Sequence, residues 1–141
     1  VNNNKKYIGL WIDHEKAFIV TLIDGNQTLK SVYSDVPGHV RPSGKSRSAT
    51  PYGSQDISAE RRIEERYRNQ LHKYYKKIIY EIEDADKIFI FGPGEARIEL
   101  KKEMKRSKER FIKIVGIERA DRMTEAQIIA KVKAFFSEDK R

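Results

Sequence analysis

The hydrophobic period changes part-way along this chain, and that change limits the folds open to it. Up to Val36 the apolar residues come in short strand-like runs. Tyr7-Ile-Gly-Leu-Trp-Ile-Asp13 and Ala17-Phe-Ile-Val-Thr-Leu-Ile23 flank a polar stretch of hairpin length, and Asp24-Gly-Asn-Gln27 is a second turn signal. Thr28 to Val36 then alternates around Leu29, Val32 and Val36, completing a predicted three-strand meander. From Ser58 the period becomes helical. Ile63, Tyr67, Leu71, Tyr74, Ile78 and Ile82 recur at spacings of three and four, so one apolar stripe is expected along the whole helix. Lys87-Ile-Phe-Ile-Phe91 reads as a buried strand, Gly92-Pro-Gly94 as a turn, and about Glu95 to Ser107 as a helix. Phe111 to Ile117 is a further strand. Thr124-Glu-Ala-Gln127 is a capping-box pattern opening a last helix with Ile128, Ile129, Val132, Phe135 and Phe136 as its apolar positions.

The predicted order is βββαβαβα, an α/β domain with a mixed sheet. Strands alternating with helices in the second half imply parallel pairing through right-handed crossovers, with the helices packed on the sheet. Ribonuclease-H-like domains use the same order. With 141 residues the chain is expected to form a single domain over 1–141 with a normal core. It contains no cysteine, which excludes a disulfide framework and a thiolate nucleophile and suits the cytoplasm, the expected location. No apolar run approaches the roughly 20 residues of a membrane span, so no membrane partner is expected.

Charge is unevenly distributed. Of the net +8, the 43 residues from Gly38 to Tyr80 carry +6. Residues 37–57 are expected to form a mobile basic loop, because Pro37 to Gln55 contains three prolines, three glycines and no acid. That loop feeds into an arginine-rich helix. Arg41, Lys45 and Arg47 on the loop, with Arg61, Arg62, Arg66 and Arg68 on the helix, are the candidate RNA contacts, because guanidinium groups bind phosphate oxygens in bidentate fashion. Glu60, Glu64 and Glu65 are placed to form some i to i+4 pairs with the helix cations.

Other motifs point less strongly to chemistry. Gly38 to Ser46 has five residues between Gly38 and Gly44-Lys45-Ser46 where a phosphate loop needs four, and no helix follows directly. At the Gly92-Pro-Gly94 turn, Arg97 stands where a dinucleotide motif has its third glycine. Asp13, Glu60 to Glu65 and Glu95 would form a Mg²⁺-dependent nuclease site if the fold assembled them. His14, His39 and His72 lack metal-ligand spacing, so no metal and no cofactor are expected.

Gly9-Leu-Trp-Ile-Asp-His14, Ile88-Phe-Ile-Phe-Gly-Pro-Gly-Glu-Ala96 and Thr124-Glu-Ala-Gln-Ile-Ile-Ala130 ending in Phe135-Phe136 resemble a family of small bacterial proteins. That family is similar to the middle domain of archaeal and eukaryotic peptide release factors and of the ribosome-rescue factor Pelota. The resemblance implies a translation-linked, RNA-binding protein whose partners are the ribosome, transfer RNA or ribosomal RNA. Release factors carry a Gly-Gly-Gln tip on a basic loop before the first helix, and here that place holds Gly53-Ser54-Gln55, with Ser54 replacing the second glycine. By that resemblance Gln55 would position water at a peptidyl-tRNA ester, with Gly53 supplying backbone freedom, giving a hydrolase as the alternative function. Pelota has the domain without the tip, so a non-enzymatic role is the leading expectation. A protein-binding adaptor is a further reading.

Overall fold

The computed structural model describes residues 5–36, 53–107 and 113–139. Among these, five strands and three helices follow the order β1 (Lys6–Ile12), β2 (Lys16–Ile23), β3 (Asn26–Tyr33), α1 (Gly53–Ile82), β4 (Lys87–Gly92), α2 (Ala96–Ser107), β5 (Ile114–Arg119) and α3 (Glu125–Asp139). The sheet order is β3-β2-β1-β4-β5. β1 to β3 pair antiparallel, while β4 lies parallel to both β1 and β5, giving the expected mixed sheet.

Local sequence explains the junctions. Asp24 and Gly25 both take positive φ, 53° and 83°, in a two-residue loop closed by the Ile23–Asn26 pair. That is the primed turn whose twist matches a hairpin. Thr124 Oγ1 accepts from the Gln127 amide at 3.1 Å and Gln127 Oε1 accepts from the Thr124 amide at 3.0 Å, completing a reciprocal capping box. Strand β5 starts at Ile114, three residues after the sequence-based start, and Phe111 lies outside the described residues.

Side-chain alternation along β1 divides the core. Ile8, Leu10 and Ile12 point to one face, where they pack with Leu71, Tyr74, Ile78 and Ile82 of α1 and with Leu100 and Met104 of α2. Trp11 points to the other face, with Phe18, Phe89, Phe91 and the α3 residues Ile128, Val132 and Phe136. Phe89 stacks on Phe135 with ring centroids 3.9 Å apart, and Trp11 Nε1 donates to the Asp121 carbonyl at 3.3 Å. Gly9 lets α3 approach, because a Cβ there would stand 2.3 Å from a Val132 methyl.

The helix stripe is only half covered. Leu71, Tyr74, Ile78 and Ile82 are buried as expected, but Ile63 is 56% exposed and Tyr67 37%. Every residue from 58 to 69 is exposed. The cause is length: thirty helical residues reach about 45 Å, whereas six- to eight-residue strands span about 20 to 26 Å, so α1 outruns the sheet.

The Gly92-Pro-Gly94 turn supplies a stability test. Gly92 has φ +148° and a Cβ there would lie 2.2 Å from the Ile12 carbonyl oxygen, while Gly94, at φ +65°, faces open space. Gly94→Ala is expected to cost about 1 kcal/mol from backbone strain alone. Gly92→Ala should cost ~3 kcal/mol or more, since strain and a clash with main chain combine. Urea unfolding midpoints of the two variants check this, and equal destabilisation would overturn the assigned role of the close approach.

Candidate nucleic-acid interface

α1 presents its charges on two flanks separated by the apolar stripe. Arg61, Arg68 and His72, spaced seven and four, lie on the flank toward α2, whereas Arg62, Arg66, Lys73 and Lys77, spaced four, seven and four, lie on the flank toward β3. All four predicted arginines are exposed, but helical phase divides them between two surfaces. None of the four lies within salt-bridge distance of a carboxylate among the described residues, so the i to i+4 pairs with Glu60, Glu64 and Glu65 are not formed there. Arg41, Lys45 and Arg47 lie outside the described residues, as does the predicted basic loop up to residue 52.

The helix opens at Gly53, five residues before the expected start at Ser58. After Pro51 no further proline interrupts the sequence before α1 ends, and helical pairing extends back to that limit. Gly53, Ser54 and Gln55 therefore have helical backbone and stand in the first turn of α1.

Toward α2 the flank forms an open groove of about 610 Å³, with His14, Tyr67, Arg68, Tyr75, Glu99 and Arg106 in its lining. Glu99 is its centre. Its Oε1 accepts from Tyr75 Oη at 2.6 Å and from His14 Nε2 at 3.0 Å, joining α1, α2 and the β1–β2 turn. Lower in the groove His72 Nδ1 meets Glu103 Oε1 at 3.1 Å. Tyr74 Oη donates to the Asp13 carbonyl at 2.9 Å beneath the same turn. Burial, then the hydrogen bond and charge of Glu99, hold the Tyr75 hydroxyl far above its ordinary value. Burial, with Asp13 and Glu15 adding to it, does the same for Tyr74.

Asp13 itself is a turn residue. Its Oδ1 accepts from the Glu15 and Lys16 amides at 2.8 and 2.9 Å, and its Oδ2 faces Arg122 at 3.8 Å. No group of three or more acids and histidines suited to a metal ion occurs among the described residues, so the carboxylates of the nuclease reading are not assembled. At the Gly92-Pro-Gly94 turn, Arg97 Nη1 donates back to the Gly94 carbonyl, so the chain's own side chain fills the place where an anion would dock.

Toward β3 a second groove of about 940 Å³ is lined by Lys73, Lys76, Lys77, Tyr80 and the edge-strand residues Lys30 and Tyr33. The lysines and an outward tyrosine on α1 are visible in the sequence. Tyr33 is not, because only the packing of β3 beside α1 brings that ring to the helix.

No family model matches this chain, and no curated protein does so. Among solved structures, Pelota from Thermoplasma acidophilum superposes with a TM-score of 0.54 at 18% identity over 93% of this chain. This chain resembles Pelota in fold. It spans 32% of the length of that protein. An archaeal translation termination factor aligns over 99% of this chain and 41% of its own, at 14% identity and a TM-score of 0.49. The α/β arrangement of the Pelota-like segment is thus shared, and at such identities the likeness concerns the fold.

The tyrosine network generates a pH prediction. Both hydroxyls stay protonated in the folded protein, whereas the unfolded chain releases these protons above about pH 10. Their contribution is complete below pH 10 and diminishes as pH rises further, by up to about 1.4 kcal/mol per pH unit for each group. Urea unfolding between pH 8 and 11.5 should show this decline in wild type and a shallower slope in Tyr74→Phe/Tyr75→Phe; parallel slopes would remove the assignment.

Proposed function

We propose that this chain is a translation-associated RNA-binding domain, equivalent to the middle domain of release and rescue factors, that docks on ribosomal or transfer RNA in the cytoplasm. The observation that carries the reading is the uncovered, arginine-bearing half of α1, which extends beyond the core with its guanidinium groups exposed. An extended cationic helix neutralises several phosphates at once, and the free energy comes largely from released counterions. The Pelota-like fold supports a translational setting, and the family resemblance of the sequence agrees with it. No helix among the described residues is long and apolar enough to cross a membrane.

Within this reading the anchored half of α1 sets the direction of the exposed half. The Glu99 network and the Tyr74 hydrogen bond fix the helix to the sheet, so Arg61, Arg62, Arg66 and Arg68 are presented from a rigid base. Arg41, Lys45 and Arg47 would add to the same contact from the segment preceding the helix. The helical backbone of Gly53, Ser54 and Gln55 favours an RNA-contacting first turn over a catalytic loop tip.

Co-sedimentation with purified ribosomes across a salt series tests the proposal. Replacing Arg61, Arg62, Arg66 and Arg68 by alanine should weaken binding and lower the log K against log salt slope, by about 0.7 to 0.9 for each phosphate no longer neutralised. An unchanged slope, or no wild-type binding at low salt, would overturn it. Gln55→Ala is expected to leave this binding unaltered within about twofold.

A further inference from the structure

We infer that the groove between β3 and α1 is a binding site for unpaired bases of single-stranded RNA, with Tyr33 and Tyr80 as the stacking faces and Lys73, Lys76 and Lys77 as the phosphate contacts. The inference rests on the RNA-binding reading above and adds a second, chemically different contact at the opposite end of α1.

Two large aromatic rings stand in the open at this groove, Tyr80 at 73% exposure and Tyr33 at 53%. One isolated exposed tyrosine is ordinary; two beside one groove, with cations between them, make a stacking platform. The cations are available. Lys73 and Lys76 form no ion pair among the described residues, and Lys77 Nζ donates to the Tyr33 carbonyl at 3.4 Å, which puts its ammonium beside that residue. Of the acids in the lining, Glu81 is held by Lys30 at 2.7 Å, and Asp35 sits on the rim. β3 is the last strand of the sheet on this side, so no described strand closes the groove along its outer edge.

The occupant follows from this chemistry. A duplex hides its bases within its own stack and offers nothing to a tyrosine face, whereas a single strand presents bases and phosphates in turn. An acidic peptide would satisfy the lysines and leave both rings uncovered. Arg62 and Arg66 continue the lysine flank toward the helix N-terminus, and from Arg62 to Tyr80 the helix advances about 27 Å, enough to follow several nucleotides.

The test uses an unstructured oligoribonucleotide carrying 2-aminopurine and, in parallel, an RNA duplex of equal length, with binding read by fluorescence and anisotropy. Wild type should quench the 2-aminopurine. Tyr33→Ala/Tyr80→Ala should abolish the quenching and bind the single strand at least about fivefold more weakly, with duplex binding unchanged. Tyr33→Phe/Tyr80→Phe should restore both signals, since stacking needs the ring and not the hydroxyl. If the alanine pair binds the single strand as wild type does while Arg62→Ala/Arg66→Ala does not bind it, the stacking site is overturned and the arginine reading stands. If the arginine pair has no effect on either RNA while the tyrosine pair does, the groove stands and the arginine reading fails. Failure of wild type to bind either RNA overturns both.

Discussion

The parallel pairing of β1 with β4 is the contact on which the rest of the molecule depends. It joins segments about eighty residues apart in register from Tyr7 with Lys87 to Trp11 with Phe91. Its entry is fixed by the Lys6 amide donating to Asp86 Oδ2 at 2.7 Å, and by the Asp86 amide donating to the Lys6 carbonyl at 2.8 Å. At its exit Gly92 lies against the Ile12 main chain, where no Cβ has room. A parallel pair cannot be closed by a tight turn, so the chain between must cross over the sheet. That crossover contains α1, and α2 joins it on the same face because β4 and β5 are parallel too. Both grooves beside α1 therefore follow from one strand pairing.

A long helix on a short sheet must leave part of itself without cover. From Leu71 onward α1 is held by buried apolar side chains and by the hydroxyls of Tyr74 and Tyr75. Before that point its partner is solvent, and apolar Ile63 lies among arginines. Burial of the later half stabilises a helix long enough to carry the earlier one, since helical pairing propagates from an established segment at little further cost. The exposed cations thereby occupy fixed positions along a line.

Much of this architecture was legible from short-range chemistry. Asp24-Gly25 demands a hairpin turn, Thr124 and Gln127 satisfy one another's amides, and the run from Lys87 to Phe91 has no polar side to expose; each is decided within a few residues. The misplacements have a common origin. Periodicity shows which face of α1 is apolar but not how far the sheet extends beneath it, so Ile63 and Tyr67 carried the same signal as Ile78. Charge content likewise joined Arg61, Arg62, Arg66 and Arg68 into one surface, although their spacing assigns them to two flanks. Tyr33 could be placed only through the register of β3 against β2 and its position beside α1.

The two flanks differ in a way that decides where a polyanion is drawn. In the groove toward α2, Arg68, Lys102 and Arg106 face Glu64, Glu99 and Glu103, and both histidines are paired with carboxylates. Its cations are offset by acids and its donors are engaged in holding helices together. In the groove toward β3, four lysines face Asp35 and Glu81, and Glu81 is bound by Lys30. Fields from like charges add, while opposed pairs cancel within a few ångströms and are further screened by salt. The α2 flank thus serves chiefly to brace the helix, and the β3 flank keeps an excess of positive charge beside exposed aromatic rings. One apolar stripe, by separating them, lets the same helix be rigid on one side and receptive on the other.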